Sequence, residues 1–418
     1  MSSAHVAPSL AGDIARCVHC GFCLQACPTY LDLGTETDSP RGRIALIDAL
    51  TVGRADPTPA LLGHLDLCLQ CRACESACPS GVPFGRIMEG ARAAVMEGPA
   101  RPRSWRLRAA VLRALLPHPA RVNAVMRLLR LYERSPLRPL VRRIPALRDA
   151  DAGLPALPRS PFQLPPQPAG LTRSVAMLTG CVMGHMYPRT HAATVRVLNR
   201  LGYRVILPEG QTCCGALSLH AGDRRLTRSL ARRNIDAFLV SACEAVIVNS
   251  AGCGSTMKEY GDLLADDAAY AARAAEFAAA TRDVLEFVAD HELGPLGAVP
   301  GAVTYQDSCH LVHAQRVTRA PRAILAAIPG LELREMTAPD RCCGSAGLYS
   351  LAQPAMSRRL LEQKMDDVAA TGALTVATAN PGCMSQIEAG MPSRNMRGRV
   401  THVIELLDAA MQAAEPRA

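Results

Sequence analysis

The sequence predicts an α+β protein: a mainly helical N-terminal module followed by two copies of one α/β unit. Three observations carry this reading. Eight cysteines fall in two tight groups within residues 1–100. Residues 171–418 run twice through the same order of strand, helix and cysteine. Between these regions, residues 101–170 hold an Arg-rich helical stretch and a Pro-rich one. The expected boundaries are 1–100, 101–170, 171–298 and 299–418.

In the N-terminal module, CVHCGFCLQACP places Cys17, Cys20, Cys23 and Cys27 before Pro28, and CLQCRACESACP places Cys68, Cys71, Cys74 and Cys78 before Pro79. Both read C-x2-C-x2-C-x3-C-P, the bacterial [4Fe–4S] run of a dicluster ferredoxin. Three closely spaced thiolates wrap one turn of chain around three corners of a cube, and the fourth points to the other cluster. One cluster is therefore expected on Cys17, Cys20, Cys23 and Cys78, and a second on Cys68, Cys71, Cys74 and Cys27. The prolines lack an N–H and turn the chain away. Zinc also binds CxxC pairs, but a zinc ribbon needs neither the third close cysteine nor the fourth before proline. The 40 residues between Cys27 and Cys68 include RGRIALIDALTVG and ALLGHLDLC, so helices are expected there.

The Arg-rich window has helical apolar spacing in WRLRAAVLRALL and VNAVMRLLRLY. Residues 101–150 contain thirteen Arg, no Lys and two acids, so they carry +11 of the net +9, leaving −2 elsewhere. One basic segment on a near-neutral chain argues against a general nucleic-acid binder, as does an aromatic content of 4% with Trp105 the sole tryptophan. Three roles are open for it: packing on the N-terminal module, an anionic membrane surface, or a partner's acidic face. Prolines at 155, 158, 161, 165, 166 and 168 make 151–170 an extended linker.

In the duplicated region, SVAMLTGC181 and AVTYQDSC309 each open a copy with a strand candidate ending in cysteine. Helical patterns follow: Ala192, Val195, Leu198 and Leu201, then Ile324, Leu325 and Ile328. Each copy reaches Cys-Cys-Gly (Cys213, Cys214, Gly215; Cys342, Cys343, Gly344), then a β-rich run, AVIVNSAGC253 and LTVATANPGC383. Corresponding cysteines lie 128, 129 and 130 residues apart. DVLEFV and HVIELL close the copies. Strand–helix alternation predicts parallel sheets, with the two copies facing each other and their cysteines at the sheet ends.

Seventeen cysteines at metal-ligand spacings fit a reducing compartment better than a disulfide scaffold. The start, MSSAHVAPSL, lacks the pattern of a signal peptide, and no run approaches the roughly 18 apolar residues of a membrane span. The expected setting is the cytoplasm, with any membrane contact peripheral on its inner face or through a partner. No G-x-G-x-x-G follows a strand, so no dinucleotide site of that kind is expected.

The combination is family-specific. CVHCGFC…CPTY, PRGRI at 40–44, HLDLCLQCRACESACPSGV at 64–82, AGCGSTMKEYG at 251–261 and CCGSAGLYSL at 342–351 resemble the iron–sulfur subunit of bacterial glycolate oxidase. The resemblance covers nearly the whole chain and is weakest in 101–170. A wider group shares it: lactate-utilisation iron–sulfur proteins, the iron–sulfur subunit of anaerobic glycerol-3-phosphate dehydrogenase, and heterodisulfide reductase subunits. The resemblance implies an electron-transfer subunit of a flavin-dependent 2-hydroxy-acid oxidase. FAD would sit in partner subunits, and electrons would pass through two [4Fe–4S] clusters towards an acceptor such as quinone. The alternatives are a related lactate or glycerol-3-phosphate dehydrogenase, or a thiol/disulfide enzyme. The isolated chain would lack substrate turnover, and no catalytic residue is assigned.

Cys181, Cys213, Cys214 and Cys253, with Cys309, Cys342, Cys343 and Cys383, remain possible additional metal or redox sites, or unmetallated thiols of the α/β core. Adjacent thiols can face one centre only across a sharp turn, which Gly215 and Gly344 permit. Heterodisulfide reductase relatives have CxxC where this chain has Ser250 or Asn380 at the first position, so a five-thiolate cluster is not expected. His310 and His313 are candidate ligands, proton relays or structural histidines. His19 is expected to tune potential through hydrogen bonding. Arg41 and Arg43 read as solvated or partner-facing, and Cys243 as a plain core or surface thiol.

Overall fold

The computed structural model describes residues 8–144, 151 and 157–415. The sequence readings at residues 1–7, Arg148, Asp149 and Pro155 lie outside the described residues.

The N-terminal module is helical. Helices Pro8–Ala15, Pro28–Leu33, Pro40–Thr51, Pro59–Asp66 and Phe84–Glu97 enclose a core in which Ile47, Leu65, Ile87 and Met88 are fully buried. Proline suits the first turn because the missing N–H would be unpaired there anyway. Pro40 and Pro59 follow N-caps whose hydroxyls accept backbone N–H groups: Ser39 from Gly42 and Thr58 from Leu61.

The basic segment forms helices Arg103–Leu115 and Pro119–Arg134. Its first helix bridges two cores. Trp105 and Ala109 join the N-terminal core, while Leu112 and Leu116 join the first α/β unit. The Pro-rich stretch has no regular structure from 157 to 172, but the sheet edge fixes it. The Gln167 amide accepts from Val205 N at 2.7 Å and donates to Val205 O at 2.9 Å.

The first α/β unit contains β1 (Arg173–Met177), β2 (Tyr203–Ile206), β3 (Val246–Val248) and β4 (Thr281–Asp283), all parallel in the order β2-β1-β3-β4. The second contains β5 (Gly301–Tyr305), β6 (Leu331–Leu333), β7 (Thr375–Thr378) and β8 (Arg399–His402), parallel in the order β6-β5-β7-β8. Central strands covered on both faces read as unbroken apolar runs, as Val246–Val248 does.

The two units meet about a pseudo-twofold. Helix Pro188–Arg200, after β1, packs on Val403–Ala413, the closing helix of the second unit. Helix Ala320–Ala327, after β5, packs reciprocally on Val284–Ala289. Between them Ala251 N donates to Ala379 O at 3.1 Å. One continuous apolar core draws on both sheets.

Candidate metal centres

Both N-terminal cysteine runs adopt the same wrap. Two residues after its first cysteine, each has a left-handed residue, His19 and Gln70, both at φ 55°. Four residues after it comes another, Gly21 at 88° and Arg72 at 63°. Such conformations are uncommon outside glycine, and repeated at matched positions they curl three thiols towards one point. Backbone N–H groups aim at sulfur: Gln70 N lies 3.4 Å from Cys68 Sγ and Val82 N 3.5 Å from Cys78 Sγ.

The cysteines sort into two hollows. Cys17, Cys20, Cys23 and Cys78 line one of about 410 Å3, counted with its open mouth. Cys27, Cys68, Cys71 and Cys74 line another of about 300 Å3. Cys74 lies on the wall of both. The first hollow is shallow, with Cys20 exposed, whereas all four thiols of the second are buried. Burial pushes Cys71 and Cys74 well above the ordinary thiol range, and neighbouring thiols push further. As bare thiolates they would repel one another.

Arg43 departs from its sequence reading. It is not solvated but 1% exposed, donating to His64 O at 2.8 Å and Thr29 Oγ1 at 3.1 Å, with Asp38 at 3.4 Å. Its Nη1 lies 4.0 Å from Cys27 Sγ. The available signal was its place one turn before buried Ile47 on helix Pro40–Thr51. Arg41 is partly exposed; it pairs with Glu36 and donates to His19 O at 3.0 Å. His19 itself is exposed, and it is its carbonyl that accepts from Arg41.

In each α/β unit four cysteines gather at the C-terminal edge of the sheet, where the strand order reverses. Cys181 follows β1, Cys213 and Cys214 follow β2, and Cys253 lies in the first turn of helix Ala251–Lys258 after β3. Cys309, Cys342, Cys343 and Cys383 repeat the arrangement around β5, β6 and β7. Cys181 and Cys213 sulfurs stand 3.4 Å apart. One thiol per set is held well below the usual range by neighbouring S–H donors, Cys213 in the first and Cys343 in the second.

The glycine of each Cys-Cys-Gly is left-handed, φ 89° at Gly215 and 84° at Gly344. A Cβ at Gly215 would meet Thr227 Cγ2 at 2.8 Å, and one at Gly344 would meet Ser357 O at 2.6 Å. The positions where relatives carry the extra thiol face each other: Ser250 Oγ is 3.4 Å from Asn380 Oδ1. Asn380 Nδ2 lies 3.7 Å from Cys383 Sγ.

The two sets are placed unequally. Cys71 shares an apolar cluster with Cys342, Tyr349, Met356 and Leu360, with Cys309 packed against it. After burial, Cys309 is the largest influence raising Cys71. The junction is polar at its rim: Ser76 Oγ and His313 Nδ1 are 2.8 Å apart, and Arg72 pairs with Glu75 and Glu259. His310 stacks on His220 at 5.2 Å, joining the two units, and burial drives it well below its ordinary range. Cys243 lies apart, 3.7 Å from Ser174 Oγ.

Among the described residues no three His, Cys, Asp or Glu side chains are set for a single metal ion, and no helix is long and apolar enough to cross a membrane.

Comparison with known proteins agrees with this layout. A 4Fe-4S dicluster domain model matches residues 13–82, and a cysteine-rich domain model matches 175–258 and 303–388. A model of the glycolate oxidase iron-sulfur subunit linker region matches 105–156. The chain is 38% identical to a probable glycolate oxidase iron-sulfur subunit of Bacillus subtilis (strain 168), over 96% of this chain and 94% of that protein. It is 36% identical to the glycolate oxidase iron-sulfur subunit of Escherichia coli (strain K12), with the same coverage. Lactate utilization protein A of Shouchella clausii is 32% identical, over 56% of this chain and 98% of its own. A hypothetical protein of Helicobacter pylori shares the fold alone, with TM-score 0.58 and 8% identity over 97% of this chain and 73% of that one. This chain belongs to the glycolate oxidase iron–sulfur subunit family.

Proposed function

We propose that this chain is the electron-transfer subunit of a flavin-dependent glycolate oxidase, carrying electrons from FAD in partner subunits to a quinone. The observation that carries the reading is the sorting of eight cysteines into two adjoining hollows. It supports one [4Fe–4S] cluster on Cys17, Cys20, Cys23 and Cys78, and a second on Cys68, Cys71, Cys74 and Cys27. The donor set fits: four thiols around a space wider than one ion needs, in surroundings where a positively charged centre would relieve thiolate repulsion. Bound there, the clusters supply one-electron chemistry at potentials the protein sets.

This chain's own residues hold, insulate and polarise those sites. Cys20 leaves the first hollow open to a donor at the surface, while the second is enclosed and bordered by Arg43. The eight remaining paired cysteines are read as a possible further site, not a required one. Of the open roles for the basic segment, packing covers only part of its surface. Leu107, Leu128, Leu131, Leu137, Leu140 and Ile144 stay at least half exposed among its arginines, which supports peripheral contact with an anionic membrane face.

The test is to purify the complex anaerobically and measure dye reduction. Glycolate should drive it only when flavoprotein subunits are present, and this chain should contain about eight iron and eight sulfide. Turnover of glycolate by this chain alone, without flavin, would overturn the assignment. A preference for D-lactate or glycerol 3-phosphate would move it to a related dehydrogenase.

A further inference from the structure

We propose that the arginine-lined cleft between the N-terminal module, the basic helix and the first α/β unit binds a phosphomonoester dianion. The cleft has about 210 Å3 that water can enter, where a single water needs ~10–15 Å3. None of the seventeen cysteines lines it, so the proposal stands apart from the electron-transfer reading.

Four guanidinium groups line this space from three sides. Arg101 lies just after helix Phe84–Glu97, Arg113 on helix Arg103–Leu115, and Arg224 and Arg225 open helix Arg224–Leu239. Two carboxylates share the lining, Glu97 and Asp223. Asp223 is buried and fully engaged, accepting from Arg113 Nε at 2.6 Å and from Leu226 N at 3.2 Å. Glu97 accepts from Arg225 Nε at 3.1 Å. Among the described residues Arg113 and Arg225 are engaged through Nε alone, so the outer nitrogens of both forks have no protein partner. Arg101 and Arg224 have no carboxylate partner among the described residues. Each donates once to a backbone carbonyl, Met96 O at 3.1 Å and Leu263 O at 3.4 Å. The four arginines therefore exceed the two acids by two positive charges, and every one of them has an outer nitrogen to offer.

Packing fixes the walls before any ligand arrives. Gly222 is left-handed at φ 80°, and a Cβ there would meet Arg92 O at 2.6 Å, so this chain is pressed against helix Phe84–Glu97. The basic helix is anchored at both ends, by Trp105 in the N-terminal core and by Leu112 in that of the first unit. Walls set in this way spare the ligand the cost of ordering them. Charge and shape then select its class. A carboxylate brings one charge and two oxygens, which a single guanidinium fork satisfies. A phosphomonoester brings about −1.5 to −2 at pH 7 and three acceptor oxygens. That matches two uncancelled charges and forks arriving from three sides, and the ligand ties those sides together. The same dianion occurs on soluble metabolites and on the head of phosphatidic acid.

The experiment titrates the anaerobically purified full chain with inorganic phosphate and with methyl phosphate at fixed ionic strength, with chloride as control. Calorimetry should show saturable binding of both phosphates. The melting temperature should rise with their concentration, because a ligand of the native state alone stabilises it. Arg101→Gln combined with Arg224→Gln should weaken phosphate binding by about ten-fold or more. Where that variant does not fold, Arg225→Gln, at a side chain 82% exposed, should still weaken it several-fold. Phosphate responses no larger than those of chloride would overturn the site. So would variants that bind phosphate as tightly as wild type, even if their unliganded melts shift, since the arginines would then only pack. Vesicles identify the source. Phosphatidic acid vesicles that displace methyl phosphate, where phosphatidylglycerol vesicles do not, assign a lipid head. No displacement by either assigns a soluble phosphomonoester. Equal displacement by both would mean that the cleft reads bulk negative charge, and the dianion site falls.

Discussion

The Arg43 guanidinium lies 4.0 Å from the Cys27 sulfur, inside the protein, with Thr29 bridging the two: its hydroxyl is 3.1 Å from Arg43 and 3.2 Å from Cys27. A cation there favours the more negative, reduced state of any cluster that Cys27 holds. At ~6 Å and an effective dielectric of ~20, a unit charge is worth ~3 kcal/mol. Asp38, 3.4 Å from Arg43, cancels part of it. Since ~1.4 kcal/mol is 59 mV for a one-electron couple, Arg43→Gln should lower one midpoint potential by tens of millivolts. Arg43→Lys should restore part of the shift. Potentiometric paramagnetic spectroscopy checks both, and equal potentials in all three proteins would show that Arg43 only packs.

Crossed ligation makes a separable expectation. Cys78 lines the same hollow as Cys17, Cys20 and Cys23, although it is last in the other motif. Cys78→Ser should therefore damage the cluster near residue 20, the exposed one. Cys27→Ser should damage the enclosed one. Iron counts and the two spectroscopic signals, followed separately, decide it. Loss of the enclosed cluster in Cys78→Ser would contradict the pairing.

The strong signals in the sequence were covalent spacing and repetition. Cysteines three and four positions apart in a run have little freedom, so the spacing itself limits which of them can share a centre. The duplication likewise forecast two parallel sheets, because each copy had to bury the same apolar strands. Arg43 was less legible. Its burial depends on His64 O and Asp38 arriving from other segments, and its place one turn before Ile47 is the one local feature that sets it apart from Arg41 two residues earlier. The unequal placement of the two cysteine quartets was also hidden. Their sequences are near copies, and only docking of the N-terminal module brings Cys71 to Cys309 and Cys342.

The pseudo-twofold places different residues at one structural position, with opposite pH consequences. Asp283 caps helix Val284–Ala289, accepting from Leu285 N at 2.9 Å, and His402 caps Val403–Ala413, accepting from Ile404 N at 3.1 Å. Burial pushes Asp283 up to about 7, against Lys258, and leaves its Oδ2 without a partner. A raised carboxyl favours folding below its unfolded value of about 4, and that contribution fades as pH climbs to about 7. Burial pushes His402 down to about 3, with His191 adding. A depressed imidazole favours folding above about 6.5, and that contribution fades as pH falls towards about 3. Asp283→Asn should thus gain stability relative to wild type at pH 8, and His402→Asn at pH 5, each by up to a few kcal/mol. Thermal melts across pH 4–8 read this out. Parallel profiles for variant and wild type would place the titration elsewhere.

The basic segment offers a test that separates packing from membrane contact. Several of its arginines are already committed: Arg108 to Asp66, Arg113 to Asp223, Arg138 and Arg142 to Asp151, and buried Arg130 to Pro158 O and His185 O. Arg103, Arg106, Arg127, Arg134 and Arg143 have no partner among the described residues. Leu128 and Leu131, on helix Pro119–Arg134 with Arg127 and Arg134, are 65% and 67% exposed. Charge attraction to an anionic bilayer is worth ~1 kcal/mol per arginine near the surface and decays within a Debye length of ~8 Å. Apolar insertion is not screened. Binding to phosphatidylglycerol vesicles should therefore fall with salt to a plateau above zero. Replacing the five uncommitted arginines by Gln should remove the salt-dependent part and spare stability, because none pairs with another of the described residues. Leu128→Ser with Leu131→Ser should remove the plateau instead. If the wild-type complex does not sediment with such vesicles at low salt, the segment serves packing or a protein partner, and its leucines await a different surface.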